Sequence, residues 1–208
     1  MKSILCFGDS NTYGESPEGF GRYERHERWT GILQKALGDD YLVIEEGLNG
    51  RTSVWDDPVE GDKSGKRHLP MCLETHAPLD LVVLMLGSND FKRRFSVTPR
   101  DIAWSIETLV TIIQKADNGR RAEPPQILVV APILLREETF LGEIFGDRRA
   151  DSMRLGALIE DVAKRKGCAF MNAADYAEPS ALDGLHMDRE NHKKFAAALE
   201  AKIREIFS

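Results

Sequence analysis

The sequence predicts an α/β fold: a five-stranded parallel sheet with helices on both faces. Three observations carry that expectation. Short apolar runs without polar alternation recur along the chain, as strands buried on both faces require. Between them lie segments with apolar residues at helical spacing. Most of the runs close on turns rich in glycine, so strands and helices alternate, which is the signature of βαβ connectivity.

Taken in order, Ile4-Leu5-Cys6-Phe7 is the first such run, closed by Gly8-Asp9-Ser10. Trp29, Ile32, Leu33, Ala36 and Leu37 fall on one helical face, and Gly38 stops that helix. Tyr41 to Ile44 reads as the second strand, ending at Gly47, and Leu79 to Leu86 as the third, ending at Gly87. Thr98, Pro99 and Asp101 then announce a helix start, with Ile102, Ile106, Leu109, Val110 and Ile113 on its buried side. Ile127 to Val130 is the fourth strand, Met153 to Ala163 lies within another helical pattern, and Cys168 to Met171 is the fifth strand. Asp188 can cap a last helix that buries Phe195, Leu199, Ile203 and Ile206. No repeat, linker or low-complexity tract divides the chain, so residues 1–208 are expected to form one domain. Two connections, Arg51 to Pro78 and Pro132 to Arg148, are long enough to suggest functional loops.

Composition narrows the function. The 208 residues are 42% hydrophobic and 30% charged, which is ordinary for a folded domain, and the net charge of −6 speaks against a nucleic-acid partner. The basic clusters are short: Arg22, Arg25 and Arg28; Lys92 to Arg94; Arg120 and Arg121; Arg148 and Arg149. All are expected to be solvated surface charge, although Lys92 to Arg94 could instead favour anionic substrates. Three cysteines, Cys6, Cys72 and Cys168, show no metal-ligand or disulfide spacing, and Cys6 and Cys168 are expected as buried strand residues. No apolar stretch reaches the roughly 18 residues of a membrane span, and Ile4 to Phe7 is too brief for a signal-peptide core. A cytoplasmic location is therefore expected.

In an open α/β sheet, ligands bind beyond the carboxyl ends of the strands. Gly8-Asp9-Ser10, the loop after Gly47 and Gly87-Ser88-Asn89-Asp90 all follow strand ends and should meet in one crevice, with Ser10 exposed there. A serine hydroxyl needs a base and a set of oxyanion donors to act as a nucleophile. Asp183-Gly184-Leu185-His186 puts an acid and an imidazole within one turn. The expected catalytic residues are Ser10, His186 and Asp183, and the expected oxyanion donors are the N–H groups of Ser10 and Gly50 and the Asn89 amide. Read as metal ligands, Asp183, His186, Asp188 and His192 fail, because His186 and His192 are wrongly spaced for one helix face. Trp55, Phe91, Ile133, Leu134, Phe140 and Phe145 lie around the expected crevice, but none is assigned to an acyl pocket.

The four blocks Gly8-Asp9-Ser10, Gly50 within Gly47-Leu48-Asn49-Gly50-Arg51-Thr52, Gly87-Ser88-Asn89-Asp90 and Asp183-Gly184-Leu185-His186 resemble those of the SGNH (GDSL-type) hydrolases. That resemblance implies a three-layer flavodoxin-like fold and ester hydrolysis without a cofactor, with the same residues as triad and oxyanion hole. Arg28-Trp29-Thr30-Gly31, Val43 to Leu48, Asp56-Asp57-Pro58 and Thr75 to Leu81 are similar to the bacterial arylesterase/acyltransferase branch. This branch acts on short-chain and aryl esters, sometimes transfers acyl groups to alcohols, and includes homo-oligomers. Asn11 stands where the family motif usually has Leu, and Tyr13 where some acyltransferases carry Trp.

The rival reading is a flavodoxin-like module that binds FMN, with the segment from Ser10 to Ser16 cradling the phosphate. It leaves the Asn89 and His186 blocks unexplained. A catalytically dead binding relative and an α/β-hydrolase are also disfavoured, the first by the complete site and the second by Thr12 in place of the elbow's last glycine.

Overall fold

The computed structural model describes residues 1–19, 21–136 and 142–208. Five strands form one parallel sheet: β1 (Lys2–Gly8), β2 (Tyr41–Gly47), β3 (Leu81–Met85), β4 (Gln126–Ala131) and β5 (Ala169–Asn172). Their spatial order is β2-β1-β3-β4-β5, the flavodoxin-like arrangement. The connecting helices are α1 (Ser10–Tyr13), α2 (Trp29–Leu37), α3 (Gly65–Thr75), α4 (Pro99–Gln114), α5 (Gly142–Phe145), α6 (Arg149–Lys166) and α7 (Arg189–Ile206).

The middles of the three central strands, β1, β3 and β4, are apolar because each feeds two cores, whereas the edge strand β2 carries Glu45 and Glu46. On one face Leu5 and Phe7, Val82 and Leu84, and Ile127 and Val129 pack under α3, α4 and α6. On the other Ile4 and Cys6, Leu81 and Val83, and Leu128 and Val130 pack under α2 and α7. Successive residues of a strand point to opposite sides, so a three-layer sandwich leaves no position for a polar alternation.

Local rules set the helix ends. Thr98 and Asp101 form a reciprocal capping box ahead of Pro99, and the Asp188 side chain accepts the Asn191 N–H at the start of α7. α2 has no cap from its own N-terminal side chain. Instead the Trp29 N–H donates to Nδ1 of His192, a residue of α7, at 3.3 Å.

Several expectations need correction. The long connection after Arg51 contains α3, hidden in the sequence because Pro70 interrupts it and only Leu69, Cys72 and Leu73 are apolar and buried. Cys168 precedes β5 and is half-buried, not a strand residue. The basic clusters are not all solvated. Arg28 is largely buried and pairs with Glu45 at 2.6 Å, and Lys92 is 4% exposed.

Candidate active site

β1 lies in the interior of the sheet, and the chain leaves its carboxyl end toward β2 on one side while β3 flanks it on the other. This is the switch point where such sheets bind ligands. The turn after β1 is shaped by Asp9, whose side chain accepts the Asn11 N–H at 3.0 Å and so caps α1. Ser10 is thereby the first residue of that helical turn. It is 4% exposed overall, and it lines the cavity, so it faces the crevice rather than bulk solvent.

The histidine loop comes from the far end of the chain. Gly184, at φ +73°, lets the chain reverse within four residues. Asp183 Oδ1 accepts the N–H groups of Leu185 and His186 at 2.9 and 3.0 Å, and Oδ2 lies 2.6 Å from His186 Nδ1. A carboxylate only accepts, so Nδ1 carries the proton and Nε2 is left with its lone pair. That nitrogen lies 2.8 Å from Ser10 Oγ, a contact spanning 176 residues of sequence. Burial raises the Asp183 carboxyl, but the His186 hydrogen bond, its charge and the two N–H donors outweigh it, so the group sits below the usual range. The aligned carboxylate, imidazole and hydroxyl can move the serine proton onto Nε2.

The other expected residues surround the same space. Gly50 lines it at φ +77°, a conformation in which a side chain is strained. The Asn89 amide donates one hydrogen to the Arg51 carbonyl at 3.1 Å, which leaves its second N–H for a ligand. The N–H of Ser10, opening α1, is one of the donors a helix start leaves unpaired. All five sequence-predicted site residues therefore border one cavity or, for Asp183, back it.

The cavity holds about 210 Å³. Ile144, Phe145 and Leu185 supply an apolar side, and Glu15, Asn49, Glu60 and Lys92 a polar one. Lys92 Nζ is 2.6 Å from Glu60 and 3.4 Å from Asp57, so its charge is balanced within the wall rather than offered to solvent or to an anionic substrate. Of the aromatic and aliphatic residues expected near the crevice, Phe145 reaches the cavity. Phe91 and Ile133 are core, Leu134 borders a separate cleft with Arg136 and Arg149, and Phe140 lies outside the described residues.

The sequence did not single out the scaffold beneath this site. Arg51 is buried, lies over the Phe7 ring, and its Nη1 donates to the carbonyls of Gly8, at 2.9 Å, and Glu46, tying the ends of β1 and β2. Asp90 accepts the Ser53 N–H at 3.1 Å and the Ser53 hydroxyl, joining the Asn89 turn to the loop after Gly50. Burial pushes both Asp9 and Asp90 up to about 6. Adjacent acidic residues after a strand were the only available signal. The segment read as an FMN cradle begins with a helical turn, Ser10–Tyr13, whose Asn11 and Thr12 side chains are buried, with Asn11 tied to the histidine loop, so the FMN reading is not favoured. No helix among the described residues is long and apolar enough to cross a membrane.

Comparison with known proteins agrees with this arrangement. Residues 6–194 match the GDSL-like lipase/acylhydrolase family. A carbohydrate acetylesterase family member from Sinorhizobium meliloti superimposes with a TM-score of 0.94 at 41% identity, over 99% of each chain. The aryl esterase of M. smegmatis gives a TM-score of 0.93 at 38% identity, again over 99% of each chain. A member of the lipolytic G-D-S-L family from Veillonella parvula shares the fold, with a TM-score of 0.69 at 12% identity over 100% of this chain and 98% of its own. No curated protein sequence matches the chain. With the sheet order, the block residues gathered at one cavity and the family match in agreement, the chain belongs to the GDSL-like lipase/acylhydrolase family of SGNH hydrolases, and it is an ester hydrolase of that family.

Proposed function

We propose that this hydrolase cleaves small-acyl carboxylic esters with Ser10 as nucleophile, His186 as general base and acid, and Asp183 as the orienting carboxylate. The observation that carries this reading is the continuous contact from Asp183 through His186 to Ser10, at 2.6 and 2.8 Å, opening into a cavity. Ser10 Oγ attacks the ester carbonyl while Nε2 takes its proton. The Ser10 N–H, the Gly50 N–H and the Asn89 amide receive the charge on the carbonyl oxygen, each worth on the order of 3 kcal/mol. The imidazolium then protonates the leaving alkoxide, leaving an acyl-serine. Water, deprotonated by His186, releases the carboxylic acid and restores Ser10. An alcohol in the place of that water would accept the acyl group instead, so transfer to alcohols is the second outcome of the same intermediate.

The size of the cavity supports a small acyl group: pockets for drug-sized ligands begin near 300 Å³, roughly, and this one is smaller, at about 210 Å³. The names of two relatives, aryl esterase and carbohydrate acetylesterase, support short acyl chains on aryl or sugar alcohols. The polar side formed by Glu15, Asn49 and Glu60 suits an alcohol that can hydrogen-bond. A panel of p-nitrophenyl esters of rising chain length, with and without an added alcohol, tests this alongside Ser10→Ala. Turnover should be fastest on the acetate, fall steeply as the acyl chain lengthens, and vanish in the variant. Equal rates on long and short acyl chains would end the size argument, and an active Ser10→Ala protein would end the nucleophile assignment.

A further inference from the structure

We propose that Asn11 is a positioning residue that sets the distance between Ser10 and His186. This inference rests on the reading of those two residues as nucleophile and base. Asn11 is buried, and its side-chain amide faces the backbone of the histidine loop. Nδ2 donates to the Leu185 carbonyl at 3.1 Å, and Oδ1 accepts the Met187 N–H at 2.9 Å. The two bonds bracket His186, clamping the residue on either side of it to the residue that follows Ser10. The Asn11 backbone is held as well: its N–H donates to Asp9 Oδ1 at 3.0 Å, and its carbonyl accepts Trp29 Nε1 at 2.9 Å. Asn11 is therefore fixed to the strand-end turn on one side and grips the histidine loop on the other.

Leucine, which the family motif usually places here, has about the same size and neither a donor nor an acceptor. The loop has other anchors, since Ser180 N–H donates to the His186 carbonyl at 2.8 Å and Arg136 N–H to the Gly184 carbonyl at 2.9 Å. Loss of the clamp should accordingly leave the loop folded and free to shift by a fraction of an ångström. A misplacement of about 1 Å can slow a reaction about a hundredfold.

The test compares wild type, Asn11→Leu, Asn11→Asp and Ser10→Ala on p-nitrophenyl acetate, with the rate of Ser10 labelling by a fluorophosphonate and a thermal melt for each. Asn11→Leu should lose about ten- to a hundredfold in kcat with KM within about twofold of wild type, and labelling should slow in step. A role in packing alone would lower the melting temperature and leave kcat of the folded enzyme and the labelling rate unchanged, which would overturn the proposal. A rise in KM at constant kcat would overturn it too. Asn11→Asp keeps the oxygen for Met187 and sets another against the Leu185 carbonyl, so it should lose about fivefold or more in kcat. Should Asn11→Leu not fold, Asn11→Asp decides, and an undiminished kcat there refutes the inference. Activity in Ser10→Ala would instead refute the underlying reading of the site. An inert Ser10→Ala beside a fully active Asn11→Leu refutes the positioning role alone.

Discussion

Replacing His192 with Asn should make the protein's stability less sensitive to acid. His192 is fully buried, and its Nδ1 accepts the Trp29 N–H at 3.3 Å, while Nε2 has no hydrogen-bond partner. Protonation would set an N–H against the N–H of Trp29, with no acceptor to take the new charge. Burial, the largest cause, and the charges of His186 and Arg28 hold its pKa down at about 4, against an ordinary 6.5, although Asp188 pulls it up. A depressed histidine contributes stability that is complete above its unfolded pKa and is lost as the pH falls from there toward the folded value. At about 1.4 kcal/mol per unit, the full loss approaches about 3 kcal/mol, of which about 2 kcal/mol falls between about pH 7.5 and pH 5. Asn keeps an acceptor near the position of Nδ1 and does not titrate. It forfeits ring packing against Tyr23, costing about 2 kcal/mol at neutral pH.

Urea unfolding of both proteins across this range reads the difference. Asp9 and Asp90, raised to about 6, work with the opposite sign: the folded state gains protons, and stability, as the pH falls through 6. Both are present in wild type and variant, so they cancel in the comparison. The gap between wild type and His192→Asn should close by about 2 kcal/mol from about pH 7.5 to pH 5. A gap that stays constant refutes the argument that His192 is held neutral.

Two substitutions test the oxyanion donors. Asn89→Ala should lower kcat about a hundredfold or more on p-nitrophenyl acetate, with little change in melting temperature, and an unchanged rate would remove the amide from the mechanism. Gly50→Ala forces a side chain into the left-handed region, costing about 1 kcal/mol, and its Cβ would stand 2.3 Å from Glu60 Oε2. It should slow turnover at least tenfold, roughly, and shortening the neighbour as well, in Gly50→Ala with Glu60→Ala, should recover part of that loss. Equal rates in the single and double variants would show that the clash with Glu60 is irrelevant.

The fold was legible because burial on both faces writes itself into composition. Ile4 to Phe7 and Leu81 to Leu86 are apolar without alternation, and a covered parallel sheet uses such strands well. α3 was not legible, since Pro70 and the polar Lys66, Arg67 and His68 disguise a helix that buries only a narrow stripe. At the site, Ser10, Asn89 and Asp183 to His186 could be read because their chemistry is local to short motifs. The clamp by Asn11, the Arg51 grip on Gly8 and Glu46, and the balance of Lys92 by Glu60 could not. Each joins segments distant in sequence, and only the folded register brings donor to acceptor.

That the hydroxyl and the imidazole meet at all depends on how α2 and α7 pack on one face of the sheet. Trp29 is the joint. Its ring meets Phe195 of α7 edge-on at 5.3 Å, its backbone N–H is capped by His192 of α7, and its Nε1 holds the Asn11 carbonyl beside Ser10. The histidine loop runs directly into α7 through the Asp188 cap, so any slide of α7 over α2 moves His186 relative to Ser10. The same indole that seats α7 also seats the turn carrying Ser10. Core packing and active-site alignment therefore share one residue, and a substitution at Trp29 cannot loosen the first without disturbing the second.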